Sequence, residues 1–188
     1  MPNTKPATDS AALLADKCRR ARGRAWVDMA FFIGATSANA RELRRLERLP
    51  GCAGVKLFMG SSTGDLLVSE DADVAAVLAN GGRRIAVHSE DERRLKERFT
   101  IVDGGAAPAL HAEWRDVETA VQATRRLLAL ARNARRRVHV LHVSTADELP
   151  LLQEHRDVAT VEVTPQHLTL CAPGCYEELD TYAQMNPP

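Results

Sequence analysis

The chain has 188 residues, 45% of them hydrophobic, and its 25 Lys and Arg are balanced by 25 Asp and Glu. That length supports one domain with a sizeable core, and zero formal charge argues against nucleic acid or an anionic membrane as the main partner. No run of about 18 apolar residues occurs, and Met1-Pro2-Asn3-Thr4-Lys5-Pro6 lacks the apolar stretch of a signal peptide.

In chain order, residues 9–22 carry Ala11, Leu14, Ala15 and Cys18 at helical spacing. Residues 26–33 are apolar and aromatic and predict the first strand. Residues 38–49 read as a basic amphipathic helix stopped by Pro50-Gly51. Residues 55–59 predict a strand that runs into the loop Gly60-Ser61-Ser62-Thr63-Gly64. A helix over 71–78 ends at Asn80-Gly81-Gly82, and 84–88 predict another strand. Residues 99–110 read as a loop. The longest helix is expected over 117–136, with Val117, Ala120, Val121, Thr124, Leu127, Leu128 and Ala131 on one face. Arg135, Arg136 and Arg137 crowd its end, where cations complement the helix dipole. Residues 138–143 predict a strand, and Thr145 with Glu148 predicts a capping box for a helix reaching about residue 153. A last strand is expected over 158–163, and 164–170 fit no single class. The four cysteines, Cys18, Cys52, Cys171 and Cys175, are too sparse for a disulfide scaffold and fit a reducing cytoplasm.

Alternating strands and helices imply a parallel sheet with crossover helices. About five strands are expected, apolar enough to be covered on both faces. An open doubly wound sheet would usually carry a phosphate-binding glycine turn, and residues 60–64 match neither GxGxxG nor a P-loop. A barrel fits better, although a closed one needs about 200 residues or more. The expected fold is therefore α/β, a partial (β/α)8 TIM barrel with about five strands, residues 1–188 being its central part. The finish Met185-Asn186-Pro187-Pro188 supports the same expectation.

Catalytic groups of a parallel barrel sit at the C-terminal ends of its strands. His88 and His142 close two of the predicted strands. Alternation puts His142 on one face with Val138 and Val140, and His139 on the other, at the wrong end of its strand. His142 is thus the candidate ligand and His139 a packing or hydrogen-bonding residue. A lone histidine fits ordinary packing better than ligation, and two at matching strand ends bring the two readings level. Lys56 decides between these readings, because Val55, Leu57, Phe58 and Met59 around it argue for burial. Buried, a lysine loses proton affinity. Its neutral amine can then add carbon dioxide, and the carbamate offers two oxygens that suit bridging of two cations. An uncarbamylated ammonium would instead repel a metal.

Other residues carry weaker signals. Ser89-Glu90-Asp91-Glu92 fit the opening of a helix. Asn3 and Asn186 lie beside prolines, where a fixed amide could read a polar ring edge or simply form a turn. His167 follows a strand end and fits cap or loop packing. No Gly-x-Ser-x-Gly elbow occurs, which disfavours a serine hydrolase.

Taken together, Met1-Pro-Asn-Thr4, Gly54-Val-Lys-Leu-Phe-Met-Gly-Ser-Ser-Thr-Gly64, Val87-His-Ser-Glu-Asp-Glu92, Leu141-His-Val-Ser-Thr145, Thr164-Pro-Gln-His-Leu168 and Met185-Asn-Pro-Pro188 resemble, in order, the dihydroorotase family. This is the cyclic-amidase branch of the amidohydrolase superfamily. The resemblance implies two Zn²⁺ or other divalent ions, bridged by a carbamate on Lys56, with His88 and His142 on one of them. It implies that Asn3 and Asn186 hold the ring of a small-molecule substrate, dihydroorotate or N-carbamoyl-L-aspartate. It also implies a cytoplasmic enzyme of pyrimidine synthesis, with no nucleic-acid or membrane partner. A homo-oligomer or a complex with aspartate transcarbamoylase is compatible with it. The family's His-x-His pair and carboxylate-binding arginine would lie ahead of Met1. Its general-base aspartate would lie beyond residue 188, so no catalytic base is expected within the chain and the isolated chain is expected to be inactive. Lys5 stands where the family usually has asparagine. The rival readings are allantoinase, hydantoinase or dihydropyrimidinase, and a non-catalytic dihydroorotase-like scaffold of aspartate transcarbamoylase.

Overall fold

A computed structural model describes residues 1–62 and 64–188; Thr63, in the loop after the second strand, lies outside the described residues. Helix α1 spans Ala11–Ala21 and starts where the Ser10 hydroxyl accepts the Leu13 amide at 3.4 Å. Strand β1 is Phe31–Gly34, followed by a 3₁₀ turn at Ala40–Glu42 and the short helix α2, Leu43–Leu46. Strand β2 is Cys52–Phe58, α3 is Asp71–Ala79 and β3 is Ile85–His88. Helices α4 (Glu92–Arg98), α5 (Leu110–Trp114) and α6 (Val117–Asn133) come next. Strand β4 is Val138–Val140, α7 is Glu148–Glu154 and β5 is Ala159–Val161. Two short helices, α8 (Pro165–Thr169) and α9 (Gly174–Leu179), precede the C-terminal segment.

The five strands form one sheet in the order β1-β2-β3-β4-β5, and every neighbouring pair is parallel. A doubly wound sheet reverses its order at a switch point. This sheet never reverses, as in a (β/α)8 barrel. The register aligns Lys56, Ala86, His139 and Thr160 in one row, and Phe58 with His88 in the next. Those residues share a face, the one that turns inward in a barrel. Val55, Leu57, Ile85, Val87, Val138 and Val140 take the other face and join Leu43, Leu46, Val74, Leu78, Leu127 and Leu128 in the main core. Each such buried aliphatic side chain stabilises the fold by roughly 1.5–3 kcal/mol before chain entropy is counted. α6 buries the apolar stripe expected of it, from Ala120 to Ala131.

Several elements depart from the sequence reading. The first strand begins at Phe31, not residue 26, and Trp26 is wholly exposed. Phe31 pairs with Cys52, the first residue of β2, so the chain ahead of it has no neighbour to pair with. The helix expected over 38–49 shrinks because Asn39 is tied down. Its Nδ2 donates to the carbonyls of Asp9 and Gly34 at 2.8 and 2.9 Å. β4 and β5 are shorter than expected. The loop over 99–110 is entered through a 3₁₀ turn, Phe99–Ile101, and leads into α5. The capping box does not form. Thr145 Oγ1 accepts the Asp147 amide at 3.0 Å, while the Glu148 carboxylate turns inward to accept the Thr124 hydroxyl at 2.6 Å. Arg136 does not decorate a helix end at the surface: it is buried and reaches Glu47 at 2.9 Å. All four cysteines are free, and no helix among the described residues is long and apolar enough to cross a membrane.

Candidate active site at the strand ends

Lys56 is 1% exposed, and its Nζ has no hydrogen-bond partner. The nitrogen sits 4.2 Å from the centroid of the Phe58 ring, on the inward face. Burial drives its pKa well below the ordinary lysine value, and the more distant carboxylate of Glu162 only partly opposes this.

His88, at the end of β3, is equally buried. Its Nδ1 lies 3.1 Å from Nε2 of His142, with the rings edge to face at 4.9 Å between centroids. Burial lowers the pKa of His88, Glu90 opposes that, and the charges of Lys56 and Arg115 add to it. His142 is lowered to about 3 by burial first, then by His88 and Lys56. Its Nδ1 is also buried without a partner. Three basic groups are therefore buried close together: Lys56 makes both histidines harder to protonate, and His88 adds to the effect on His142.

His142 reaches this pocket by a route that alternation does not describe. β4 stops at Val140, on the helix-covered face, and a straight continuation would carry His142 to that face too. His142 instead adopts φ +41, a left-handed conformation that costs a non-glycine residue about 1–2 kcal/mol. That turn brings the ring to His88. His139 shares the row of Lys56 but bonds Thr160 at 2.8 Å and Glu162 at 3.3 Å, in keeping with a local hydrogen-bonding residue.

The task of opening the helix after β3 falls to Asp91, whose Oδ1 accepts the Arg94 amide at 3.0 Å, and not to Glu90. Glu90 is 1% exposed and turns inward. Its Oε2 lies 2.7 Å from His88 Nε2, off the line of an ideal ring N–H bond, and this contact opposes the lowering of the His88 pKa by burial. The same oxygen accepts Arg115 Nη1 at 2.5 Å, and Arg115 Nη2 donates to the Ser61 carbonyl at 2.7 Å. The guanidinium lies over the Trp114 ring at 4.5 Å. Gly60 makes this packing possible, since a Cβ there would fall 2.6 Å from the Glu90 carbonyl oxygen.

Asn3 packs against Gly64, where an added Cβ would lie 3.3 Å from the Asn3 Cβ. Asn186 lines a cavity of about 530 Å³ with Ser62, Trp114, Arg115 and His111, and its Oδ1 lies 3.0 Å from His111 Nε2. Arg115 connects that cavity, through Glu90, to His88. His167 bonds Thr164 at 2.9 Å and the Pro187 carbonyl at 3.1 Å, which is loop packing. Among the described residues no three His, Cys, Asp or Glu side chains converge as a metal site.

No protein-family model matches the chain. It is 30% identical over its whole length to a dihydroorotase of Methanosarcina acetivorans, covering 42% of that protein. It is 33% identical, over 90% of its length, to an allantoinase of Streptomyces avermitilis, covering 39% of that protein. Among solved structures, the L-hydantoinase (dihydropyrimidinase) of Arthrobacter aurescens superposes with a TM-score of 0.87 at 26% identity, over the whole chain and 43% of the hydantoinase. The dihydropyrimidinase of Brevibacillus agri gives 0.82 at 26% identity over 96% of the chain and 41% of its own length. The chain spans about two fifths of the length of the proteins it matches, and over that stretch its sequence and fold are similar to those of cyclic amidohydrolases.

Proposed function

We propose that the chain is the central, metal-holding part of a dihydroorotase, a hydrolase that opens and closes the cyclic amide between dihydroorotate and N-carbamoyl-L-aspartate in pyrimidine synthesis. The observation that carries this reading is the unpartnered, buried amine of Lys56 beside two imidazole nitrogens 3.1 Å apart. Nitrogens held by one tetrahedral zinc at 2.0–2.1 Å stand about 3.3 Å apart, so the histidine pair fits a shared ion. The lysine fits the rest of the centre. Its neutral amine attacks carbon dioxide, a nitrogen–carbon bond forms, one proton is released, and the product is an anionic carbamate with two oxygens.

In this reading a carbamate on Lys56 would supply the anion that holds two divalent ions, and His88 and His142 would hold one of them. Bound divalent ions would supply a water of lowered pKa and a polarised amide carbonyl. Glu90 and Arg115 back the His88 ring, and Asn3 and Asn186 orient the cyclic substrate. Further ligands and the general base belong to parts of the enzyme outside these residues, so the isolated chain is inactive. The reading carries with it a cytoplasmic setting and either a homo-oligomer or a complex with aspartate transcarbamoylase.

The test is zinc uptake by the folded chain in ¹³C-labelled bicarbonate. A carbamate carbon resonance that disappears in Lys56→Met supports the reading. Absence of both metal and carbamate in a folded protein would sink it. Turnover by the isolated chain with added zinc would refute the need for further groups.

A second reading has its own support. The identity to an allantoinase exceeds that to the dihydroorotase, and the superposed structures are hydantoinases and dihydropyrimidinases. These reactions share the metal chemistry and differ in the ring that is bound. Dihydroorotate, allantoin and hydantoin, assayed on the longer enzyme, separate them.

A further inference from the structure

His111 lies in a region whose sequence carried no functional signal, yet both of its ring nitrogens are engaged. It is 8% exposed, with Nδ1 2.9 Å from the Tyr176 hydroxyl and Nε2 3.0 Å from the Asn186 Oδ1. A neutral imidazole has one N–H and one bare nitrogen. An amide oxygen can only accept, so the proton belongs on Nε2, and Nδ1 must accept from the Tyr176 O–H. The surroundings suit those roles. Burial lowers the pKa of His111, which the Asn186 contact opposes and the Arg115 charge reinforces. Burial pushes the Tyr176 phenol up to about 12, so it keeps the proton it donates.

We propose that His111 is a positioning residue, which holds the Asn186 amide with its oxygen turned to the protein and its NH₂ left for the cavity. Asn186 then reads only an acceptor on the ligand, a ring carbonyl or carboxylate of a cyclic amide, and rejects a donor at that point. The inference rests on the reading of Asn186 as a ligand contact. It adds a residue that sets the polarity of that contact, and a second, Tyr176, that sets the tautomer of the first.

Two measurements test it. In the 188-residue chain, ¹⁵N NMR of the His111 ring should find the proton on Nε2 and a bare Nδ1. Tyr176→Phe, which keeps the packing, should mix the two tautomers. A proton found on Nδ1 would reverse the amide and overturn the proposal. In the longer enzyme, Asn186→Ala and His111→Ala should each raise KM for the cyclic amide about tenfold, the scale of one lost hydrogen bond, with kcat little changed. The double variant should be no worse than Asn186→Ala, because the two residues act as a unit. His111→Gln, which keeps an N–H donor, should recover most of the loss. Additive losses, or a glutamine variant as poor as alanine, overturn the inference while leaving Asn186 as a ligand contact. An unchanged KM in Asn186→Ala removes the reading beneath it as well, whatever tautomer NMR finds.

Discussion

Two buried clusters of ionisable side chains sit at opposite ends of this sheet, and they are built on opposite rules. At the N-terminal end, Glu47 and Arg136 are 1% and 4% exposed and meet at 2.9 Å. Glu47 also accepts the amides of Gly82 at 2.7 Å and Arg83 at 3.3 Å. Gly81, at φ +117, is needed there, because a Cβ would fall within 2.7 Å of both side chains. Arg136 keeps two nitrogens unpartnered, but an opposite charge is in contact. At the C-terminal end, Lys56, His88 and His142 are all bases, and among the described residues only His88 meets an acid, Glu90, which it shares with Arg115. A buried charge without a counter-charge of its own is expensive, and burial lowers the pKa of all three, so these groups stay neutral. A neutral amine and two neutral imidazoles are poor glue and good ligands. The first cluster holds the fold; the second is a cost that the fold carries.

Glu47→Ala should produce the largest effect, a loss of about 3–5 kcal/mol, because it strands a buried guanidinium. Urea denaturation of the chain measures this, and a loss below 1 kcal/mol would place the two clusters on the same footing. Lys56→Met should have the opposite sign. It replaces a buried amine by an apolar side chain of similar length and should stabilise the metal-free chain by about 1–2 kcal/mol. The same variant should abolish zinc uptake. A destabilised Lys56→Met protein would mean that the amine has a structural partner.

The contrast also explains what could be read from the sequence. β3 and α3 were legible to within one residue and β2 and α6 to within three, because unbroken apolar runs and helical stripes report which face each element buries. The same logic gave the burial of Lys56 from Val55, Leu57 and Phe58, and the place of His88 at a strand end. Contacts between elements were not legible. Glu47 and Arg136 are 89 positions apart, and no periodicity relates them. Glu90 and Asp91 are neighbouring acids of which one pairs with Arg115 and the other caps a helix, a choice made by the position of Arg115. His142 was selected for a face it does not occupy. Its left-handed turn depends on β4 stopping at Val140, and strand length is set by the partners β3 and β5. His111 gave no local signal, since its importance comes from Tyr176 and Asn186, both far along the chain.

A third ion pair, half open to solvent, calibrates the buried ones. Asp116 caps α6, accepting the Thr119 amide at 3.1 Å and hydroxyl at 2.8 Å, and it binds Arg94 through both carboxylate oxygens. Burial raises its pKa, but the bonds from Arg94 and Thr119 outweigh that and hold it at about 2. A carboxylate depressed in the folded state contributes stability above its ordinary value near 3.8 and loses it as pH falls through about 2. Asp116→Asn should therefore cost about 1 kcal/mol at neutral pH, the worth of a partly screened pair, because an asparagine still caps the helix. The gap from the unaltered chain should narrow below pH 3.8 and close near pH 2, as read from urea midpoints. A gap independent of pH would assign the loss to packing.

The smallest effect belongs to Thr145, where the sequence predicted a capping box. Its hydroxyl accepts one amide, that of Asp147 and not that of Glu148, at an exposed position, while the Glu148 carboxylate is held by the Thr124 hydroxyl as well as by backbone amides at Ser144 and Thr145. Thr145→Ala should cost no more than about 0.5 kcal/mol, the low end for a cap. Glu148→Ala removes the acceptor of the buried Thr124 hydroxyl, which also contacts Ser89 at 3.0 Å beside His88. Its loss should be about 1–3 kcal/mol. Had the box formed, the two substitutions would cost about the same, since each would break one half of a reciprocal pair. A ratio of losses well above one, measured in the same denaturation assay, distinguishes a carboxylate drawn into the region behind the strand ends from one spent on starting a helix.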